Sequence, residues 1–493
     1  MAGAASEGRC FAARLRQYAA LPAIVDESGD SISYDQLADL VETFAAQLGD
    51  RQRLLLIEAA NEPEPIIAYL AGLAGGHSVL MASAASESLL ETFRPDAIFR
   101  KKAAGWSLDL SPPQGDLHPD LALLLSTSGT TGATKLVRLS ATAVDANAAS
   151  IAEYLGIGPG DRALTTLPIH YSYGLSVVNS HLLAGGALLL TARSVTEPEL
   201  WAQLDRQGAT SFAGVPYTYD LLDRMHFWDK PHPTLRTITQ AGGRLGPPDR
   251  VARIANWAAA HGVRFFVMYG QTEATARMAY MPPELLAANS GAIGIAIPGG
   301  SFRLVDGAGA TIAASGVEGE LAYTGANVMM GYGECRADLA RGPEIAELLT
   351  GDLALREDSG LYRITGRTKR ICKPYGLRVS LDELESTLAR DGVKACVTGN
   401  DDLIAVLVPA GAPPGLAADL AARLKLPETL FDIAPAAEPP LLPSGKVDYG
   451  AILRAAEGRR AKPVRETTGE DAVLAIFRHQ FPNQRVTRDS DFL

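Results

Sequence analysis

The stretch LALLLSTSGTTGATK, residues 121–135, decides the reading of this chain. The apolar run from Leu121 to Leu125 suits a strand buried on both faces. A loop of Ser126, Thr127, Ser128, Gly129, Thr130, Thr131 and Gly132 follows, ending at Lys135. Glycines let the backbone turn tightly and present N–H groups to an anion. The hydroxyls add donors and Lys135 adds a positive charge. This is chemistry for a polyphosphate. The spacing is not the Walker pattern, which sets the chain apart from ordinary P-loop proteins.

Outward from that loop, the chain alternates strands and helices. Arg53–Ile57, Ala187–Leu190 and Phe265–Met268 read as strands, and Tyr34–Leu48 reads as a helix. Such alternation predicts layered α/β structure with largely parallel sheet. After about residue 295 the texture changes to short strands punctuated by glycine (IPGGSFRLVDGAGATI, then EGELAYTG), which predicts an antiparallel, barrel-like β region. A basic cluster at 367–370 introduces a smaller α+β unit with helix Ser380–Arg390, strand Leu403–Val408 and helix Gly415–Leu424. The proline-rich segment Ala434–Pro443 reads as extended. The expected domains are 1–368, 369–456 and, from 457 to 493, a charged linker with a last helix at Glu470–Gln480.

Composition excludes several classes. The chain has 493 residues, 47% of them hydrophobic and 20% charged, as in globular proteins. Its net charge of −11 argues against a nucleic-acid partner, which demands a basic face. The cysteines at 10, 335, 372 and 396 show no metal-ligand spacing and read as reduced thiols of a cytoplasmic protein. No stretch has the ~20 apolar residues of a membrane span, and the first residues lack the apolar run of a signal peptide.

Four later motifs appear in order after the loop: YGQTE (269–273), TGD (350–352), GRTKRICKPYGLRVSLDELE (366–385) and PSGKVD (443–448). Together with STSGTTGATK, they resemble the acyl-adenylate-forming superfamily: acyl-CoA synthetases, peptide-synthetase adenylation domains and luciferases. The resemblance covers roughly residues 15–455. It implies a mobile small C-terminal domain and a two-step reaction. An acid and ATP give acyl-AMP and pyrophosphate, and a phosphopantetheine thiol then takes the acyl group. It also implies roles. Tyr269 stacks on adenine beside Gly270, Thr272 bonds the α-phosphate, and Glu273 holds Mg²⁺. Asp352 and Arg367 reach the ribose. Lys446 meets the carboxylate and α-phosphate, where a positioned cation stabilises developing charge. Lys369 is the hinge, and the segment around Lys373–Val379 faces the site in the second half-reaction.

The segment LPIHYSYGL (167–175) resembles the acyl-CoA synthetase version of an aromatic motif, with His170 beside the carboxylate. Tyr171, Phe212, Gly214, Ala241, Gly242, Gly243 and Ala274 are the expected pocket wall, Gly242 and Gly243 also approaching the nucleotide. No Asp or Glu occurs from Ala163 to Thr196, where amino-acid-activating relatives place an aspartate; this disfavours an α-amino acid substrate. Arg244 and Arg277 lie near the wall; the sequence leaves open whether they meet a second substrate carboxylate or are solvated or structural. The segment Glu470–Leu493 resembles the opening of an acyl-carrier domain, an ordinary C-terminal helix being the other reading. The carrier reading favours a fused holo-carrier over free coenzyme A as acceptor. A free-standing acyl-CoA ligase, an amino-acid-activating domain and a catalytically silent nucleotide-binding scaffold are the alternatives.

Overall fold

A computed structural model describes residues 10–126, 135–243, 245, 248–367, 371–377, 379–393, 395–408, 413–436, 439–440 and 449–460. The chain divides into two compact units, Met1–Val379 and Ser380–Leu493.

The first unit contains two large sheets. Strands Leu54–Glu58, Ser78–Ala82 and Leu121–Ser126 (β1) run parallel at the heart of a seven-stranded sheet. Their apolar runs are buried residue after residue, as strands covered on both faces must be. Strand Leu136–Ser140 (β2) pairs antiparallel with β1, so the expected phosphate loop connects two neighbouring strands. Helix Ala141–Leu155 (α1) follows, its N-terminus capped by Ser140 Oγ, which accepts from the Ala143 N–H. Helix Ser172–Leu183 (α2) is buried on nearly every face. It encloses polar groups too (Ser172, Ser176, Asn179, Ser180 and His181), and its Leu175, Val178 and Leu182 pack with side chains from both large sheets.

The second large sheet has nine strands. Its centre is parallel and includes Ser211–Gly214 (β3), Thr237–Gln240 (β4) and Arg264–Tyr269 (β5). Alternation along these strands separates two environments. Phe212, Ile238 and Phe265 enter one apolar cluster with Tyr219 and Phe227. Ala213, Phe266 and Met268 enter another with Ile151 and Leu155 of α1 and Tyr173 of α2. The glycine-punctuated region forms a five-stranded antiparallel sheet whose hydrogen-bonded order ends at Thr311–Ile312 and Tyr362–Arg367. Among the described residues it is a sheet with two edges rather than a closed barrel.

In the second unit, Cys396–Asn400 pairs antiparallel with Leu403–Val408, which pairs parallel with Phe431–Pro435. Leu403 and Ala405 bury Ile452 and Ala456 of helix Tyr449–Arg460. That helix runs through Arg460, past the position 457 at which the sequence suggests a linker. The tail 461–493, with its expected carrier-like helix, lies outside the described residues.

The short strand Gly331–Gly333 joins the edge of the seven-stranded sheet by pairing with β2. Arg138 of β2 clamps it. The side chain is fully buried, and it donates to the carbonyls of Tyr332 (3.1 Å), Met330 (3.4 Å) and Arg341 while Nη2 lies 3.1 Å from Glu344. Replacing Arg138 by Met takes a donor from each carbonyl; Tyr332 keeps Arg341 Nη2 (2.9 Å) and Met330 keeps the Glu344 N–H (2.7 Å), so the Arg341 carbonyl loses most, whereas half-exposed Glu344 regains water. The expected loss is therefore that of orphaned polar groups, roughly 1–3 kcal/mol. Urea unfolding checks this; an unchanged midpoint would mean that the strand is held by its ladder alone.

Candidate active site

The motif YGQTE begins on the last residue of β5, where a buried parallel strand delivers the chain to its C-terminal edge. The chain then doubles back. A Cβ on Gly270 would sit 1.8 Å from the Ala276 carbonyl oxygen, so only glycine fits there. Thr275 (φ 56°) and Ala276 (φ 95°) take left-handed backbone conformations, which in non-glycine residues persist only where surrounding contacts hold them. Here the brace is Asn327. Its Nδ2 donates to the carbonyls of Ala274 (2.8 Å) and Arg277 (3.0 Å), and its own carbonyl accepts from Thr275 Oγ1 (2.7 Å).

One side of this turn faces the antiparallel sheet. Tyr269 Oη donates to Asp352 Oδ2 at 2.5 Å, and Gln271 Nε2 donates to Asp352 Oδ2 (3.2 Å) and the Thr350 carbonyl (2.8 Å). Burial, and then the Asp352 carboxylate, push the Tyr269 phenol well above its usual pKa, so it stays a donor. Arg367 is the cross-strand partner of Asp352 in the ladder. The two expected adenosine contacts, Tyr269 and Asp352, thus meet, and the backbone register brings Arg367 beside them. The Arg367 side chain lies outside the described residues, as do Thr127, Ser128, Gly129, Thr130, Thr131, Gly132, Arg244, Lys369 and Lys446.

Glu273 is buried, and its Oε1 accepts from Tyr332 Oη at 2.9 Å. The Tyr332 ring in turn carries Lys135 Nζ 3.9 Å from its centroid. Lys135 ends the phosphate loop, so Tyr332 links the loop to the expected metal ligand. Tyr332 and Asn327 are site residues that the sequence reading missed. The signal for Tyr332 was an aromatic between two glycines (Gly331 and Gly333). No cluster of three or more candidate metal ligands occurs among the described residues. A lone buried carboxylate suits Mg²⁺, which is commonly held by one or two carboxylates, substrate phosphates and water.

The other side of the turn faces α2. Thr272 Oγ1 lies 3.2 Å from Ser172 Oγ in the first turn of that helix. A Cβ on Gly242 (φ +90°) would lie 2.7 Å from Tyr171 Oη, so this glycine lets Tyr171 close over the loop. Tyr171 and Ala241 share one apolar cluster with Ala213 and Met268. Phe212 belongs to the opposite face of the sheet, and a Cβ on Gly214 would meet Tyr219. Ala274 packs into the main core. His170 is half-buried just before α2. Tyr375, in the segment expected to face the site later, has its ring 5.9 Å from that of Tyr217.

Two α/β sheets and an antiparallel sheet in one unit, with a small α+β unit after it, make the fold of an adenylate-forming enzyme. The solved o-succinylbenzoate coenzyme A synthetase from Bacillus subtilis, bound with its product analogue, shares it. The TM-score is 0.72 at 20% identity, over 90% of this chain and 98% of that one. The chain belongs to the AMP-binding enzyme family, which matches residues 87–333. Among curated relatives, it is 31% identical to a sulfoacetate–CoA ligase of Cupriavidus necator over 57% of this chain and 53% of that protein. It is 28% identical to an isonitrile lipopeptide synthase of Streptomyces coeruleorubidus over 80% of this chain and 29% of that protein. The chain therefore spans less than two thirds of either relative. Among the described residues no helix is long and apolar enough to cross a membrane.

Behind the site, His181 of α2 is buried; its Nδ1 lies 2.9 Å from the Val177 carbonyl. Burial pushes its pKa down to about 4 from 6.5. The fold thus keeps this imidazole neutral where the unfolded chain takes up a proton. Its stabilising contribution is complete above pH 6.5 and is lost as the pH falls towards 4. The span corresponds to roughly 3 kcal/mol. His181→Gln should flatten the decline in urea midpoint over that window by about this amount; parallel pH profiles would remove His181 as its cause.

Proposed function

We propose that this chain joins a carboxylic acid to a thiol through an acyl-adenylate. The observation that carries the reading is the single turn after β5, in a member of the AMP-binding family. Tyr269 and Asp352 form one side of it, Glu273 lies between, and Thr272 adjoins Ser172 of α2. In the first half-reaction an oxygen of the acid attacks the α-phosphorus of ATP and pyrophosphate leaves. In the second, a thiol attacks the acyl carbon, AMP leaves, and the thiol proton passes to solvent.

The chain's own groups do the positioning. Tyr269, Asp352 and Arg367 hold the adenosine, and the 126–132 loop with Lys135 holds the phosphates. Glu273 would hold Mg²⁺, which would neutralise phosphate charge. Tyr332 orients the Glu273 carboxylate. Thr272 donates at the α-phosphate, His170 lies beside the acid, and Lys446 supplies a cation where charge builds. Lys369 is the hinge between the two half-reactions.

The acid lacks an α-ammonium group. The acid-free stretch from Ala163 to Thr196 supports this, as does the apolar cluster of Ala213, Ala241 and Met268 beside Tyr171. The acceptor is a phosphopantetheine thiol, with a tethered holo-carrier favoured over free coenzyme A. The carrier-like sequence Glu470–Leu493 supports that preference, since tethering raises effective concentration to roughly millimolar. The lipopeptide synthase among the relatives is consistent with it.

Acid-dependent exchange of labelled pyrophosphate into ATP tests the first half-reaction. Exchange is expected with carboxylic acids and not with α-amino acids; silence across a broad acid panel would leave only a nucleotide-binding scaffold. Lys446→Ala should slow exchange about 10²–10³-fold while leaving thioester formation from supplied acyl-AMP largely intact. Equal losses in both steps would take the lysine out of the adenylation step.

A further inference from the structure

Lys373 to Leu377 reads KPYGL, and its backbone makes a tight strap in the first unit, which ends at Val379. The Gly376 N–H donates to the Lys373 carbonyl (3.1 Å) and the Leu377 N–H to that of Pro374 (2.9 Å). Tyr375 (φ 51°) and Gly376 (φ 79°) are both left-handed. Glycine takes that conformation without steric cost, whereas a tyrosine keeps it only where its contacts hold it. Tyr375 is 45% exposed, so burial alone does not hold it. Its ring meets that of Tyr217 edge to face, with centroids 5.9 Å apart and planes at 85°. This is a favoured arrangement of two aromatic quadrupoles.

Tyr217 comes from helix Pro216–Arg224 (α3), which starts one residue after β3. Pro216 in its first turn fixes where that helix begins, as does Thr218 Oγ1, which accepts from the Val215 N–H (3.3 Å). The strap seats on this same start. A Cβ on Gly376 would lie 3.3 Å from Val215, 3.6 Å from Pro216 and 3.7 Å from the Gly242 carbonyl. Gln240 Nε2 steadies the Gly242 loop by donating to the Gly243 carbonyl (2.9 Å). Gly242 is also the residue over which Tyr171 closes. One run of contacts therefore joins the exposed strap to the expected wall of the acid pocket: Tyr375 on Tyr217, Gly376 on Val215 and Gly242, Gly242 on Tyr171.

We infer that the Tyr217–Tyr375 pair is a latch, which holds the strap on the acid-pocket wall and so favours thiol transfer over adenylation. Tyr217 is then a positioning residue that acts through Tyr375. The inference deepens the proposed two-step reaction and rests on it, since the strap is the segment assigned there to the second step. Its physical basis is the left-handed Tyr375. Without the Tyr217 ring that residue relaxes to ordinary backbone, and Gly376 leaves its seat at Val215 and Gly242. The latch is also weak by construction. A single half-exposed ring pair stabilises modestly, so it biases the strap towards the wall without locking it there. A chain that runs both steps in turn needs a contact of that size.

The test separates the two steps in the full chain. The acid is the one that supports the fastest pyrophosphate exchange; its acyl-AMP is supplied directly for the second step, with pantetheine and coenzyme A as thiols. Tyr217→Ala should slow thioester formation roughly 3–10-fold and leave pyrophosphate exchange unchanged or faster. Tyr217→Phe keeps the ring and should behave as the unmodified protein. Tyr375→Ala should slow the thiol step as much, and the double variant no further, because the two changes remove one contact. Amide hydrogen exchange at Gly376 and Leu377 reads the latch without any chemistry, and Tyr217→Ala should lose protection there. Equal slowing of both steps would make Tyr217 structural and overturn the inference. Additive losses in the double variant, or unchanged amide protection, would overturn it too and leave the adenylation reading standing. No pyrophosphate exchange by the unmodified protein would sink the adenylation reading and the latch's role with it, a failure that the amide protection tells apart from the lack of a latch.

Discussion

The closest backbone approach in the site is the one at Gly270, which lies against the carbonyl of Ala276 and forces the chain to reverse within a few residues of leaving β5. Among the described residues, Tyr269, Thr272, Glu273 and Asp352 are arranged around that reversal. Residues before and within it face the antiparallel sheet, through Tyr269 and Asp352, and reach Tyr332 through Glu273. The residue that closes it, Arg277, enters the space beneath α2. A side chain at position 270 would open the turn and separate the two faces. The left-handed residues Thr275 and Ala276 are held by Asn327. The strain is local, and long-range hydrogen bonds maintain it.

A second dependence concerns how the phosphate loop meets this turn. The loop connects β1 and β2, and β2 pairs with the short strand carrying Tyr332. Register therefore sets Tyr332 beside Lys135, over whose cation the aromatic face lies at 3.9 Å. A contact of this kind stabilises by about 0.5–2 kcal/mol, while the tyrosine hydroxyl donates to the Glu273 carboxylate.

Buried Arg138 and Arg277 and partly buried Arg336 show how the arginines of the large unit differ in their partners. Arg138 is held by several carbonyls and Glu344, and Arg336 is paired with buried Asp96 at 2.8 Å. Both lie where strands and loops must be locked. Arg277 is as deeply buried as Arg138 but is met by hydroxyls, a thioether and a ring. Its partners are thus neutral where those of Arg138 and Arg336 include a carboxylate.

Much of the fold was legible in the chain. Runs such as Leu121–Leu125 became buried strands, and Tyr34–Leu48 became a helix with those bounds, because apolar periodicity and caps such as Ser33 act over a few residues. The family was legible for the same reason: its motifs are short and ordered. The sequence alone also placed a Ser/Thr/Gly-rich loop at the end of a buried strand. Tertiary structure alone decided which faces those residues occupy. Ala213 rather than Phe212 joins the cluster of Tyr171 and Ala241, since strand pairing sets which side of the sheet each alternate residue takes. Tyr332 meets Glu273 across 59 positions, and Asn327 meets Ala274 across 53. The burial of Arg277, likewise, depends on Tyr173, Ser176 and Tyr154, more than a hundred residues earlier. Contacts over such separations come from the packing of sheets on helices, and no local pattern encodes them.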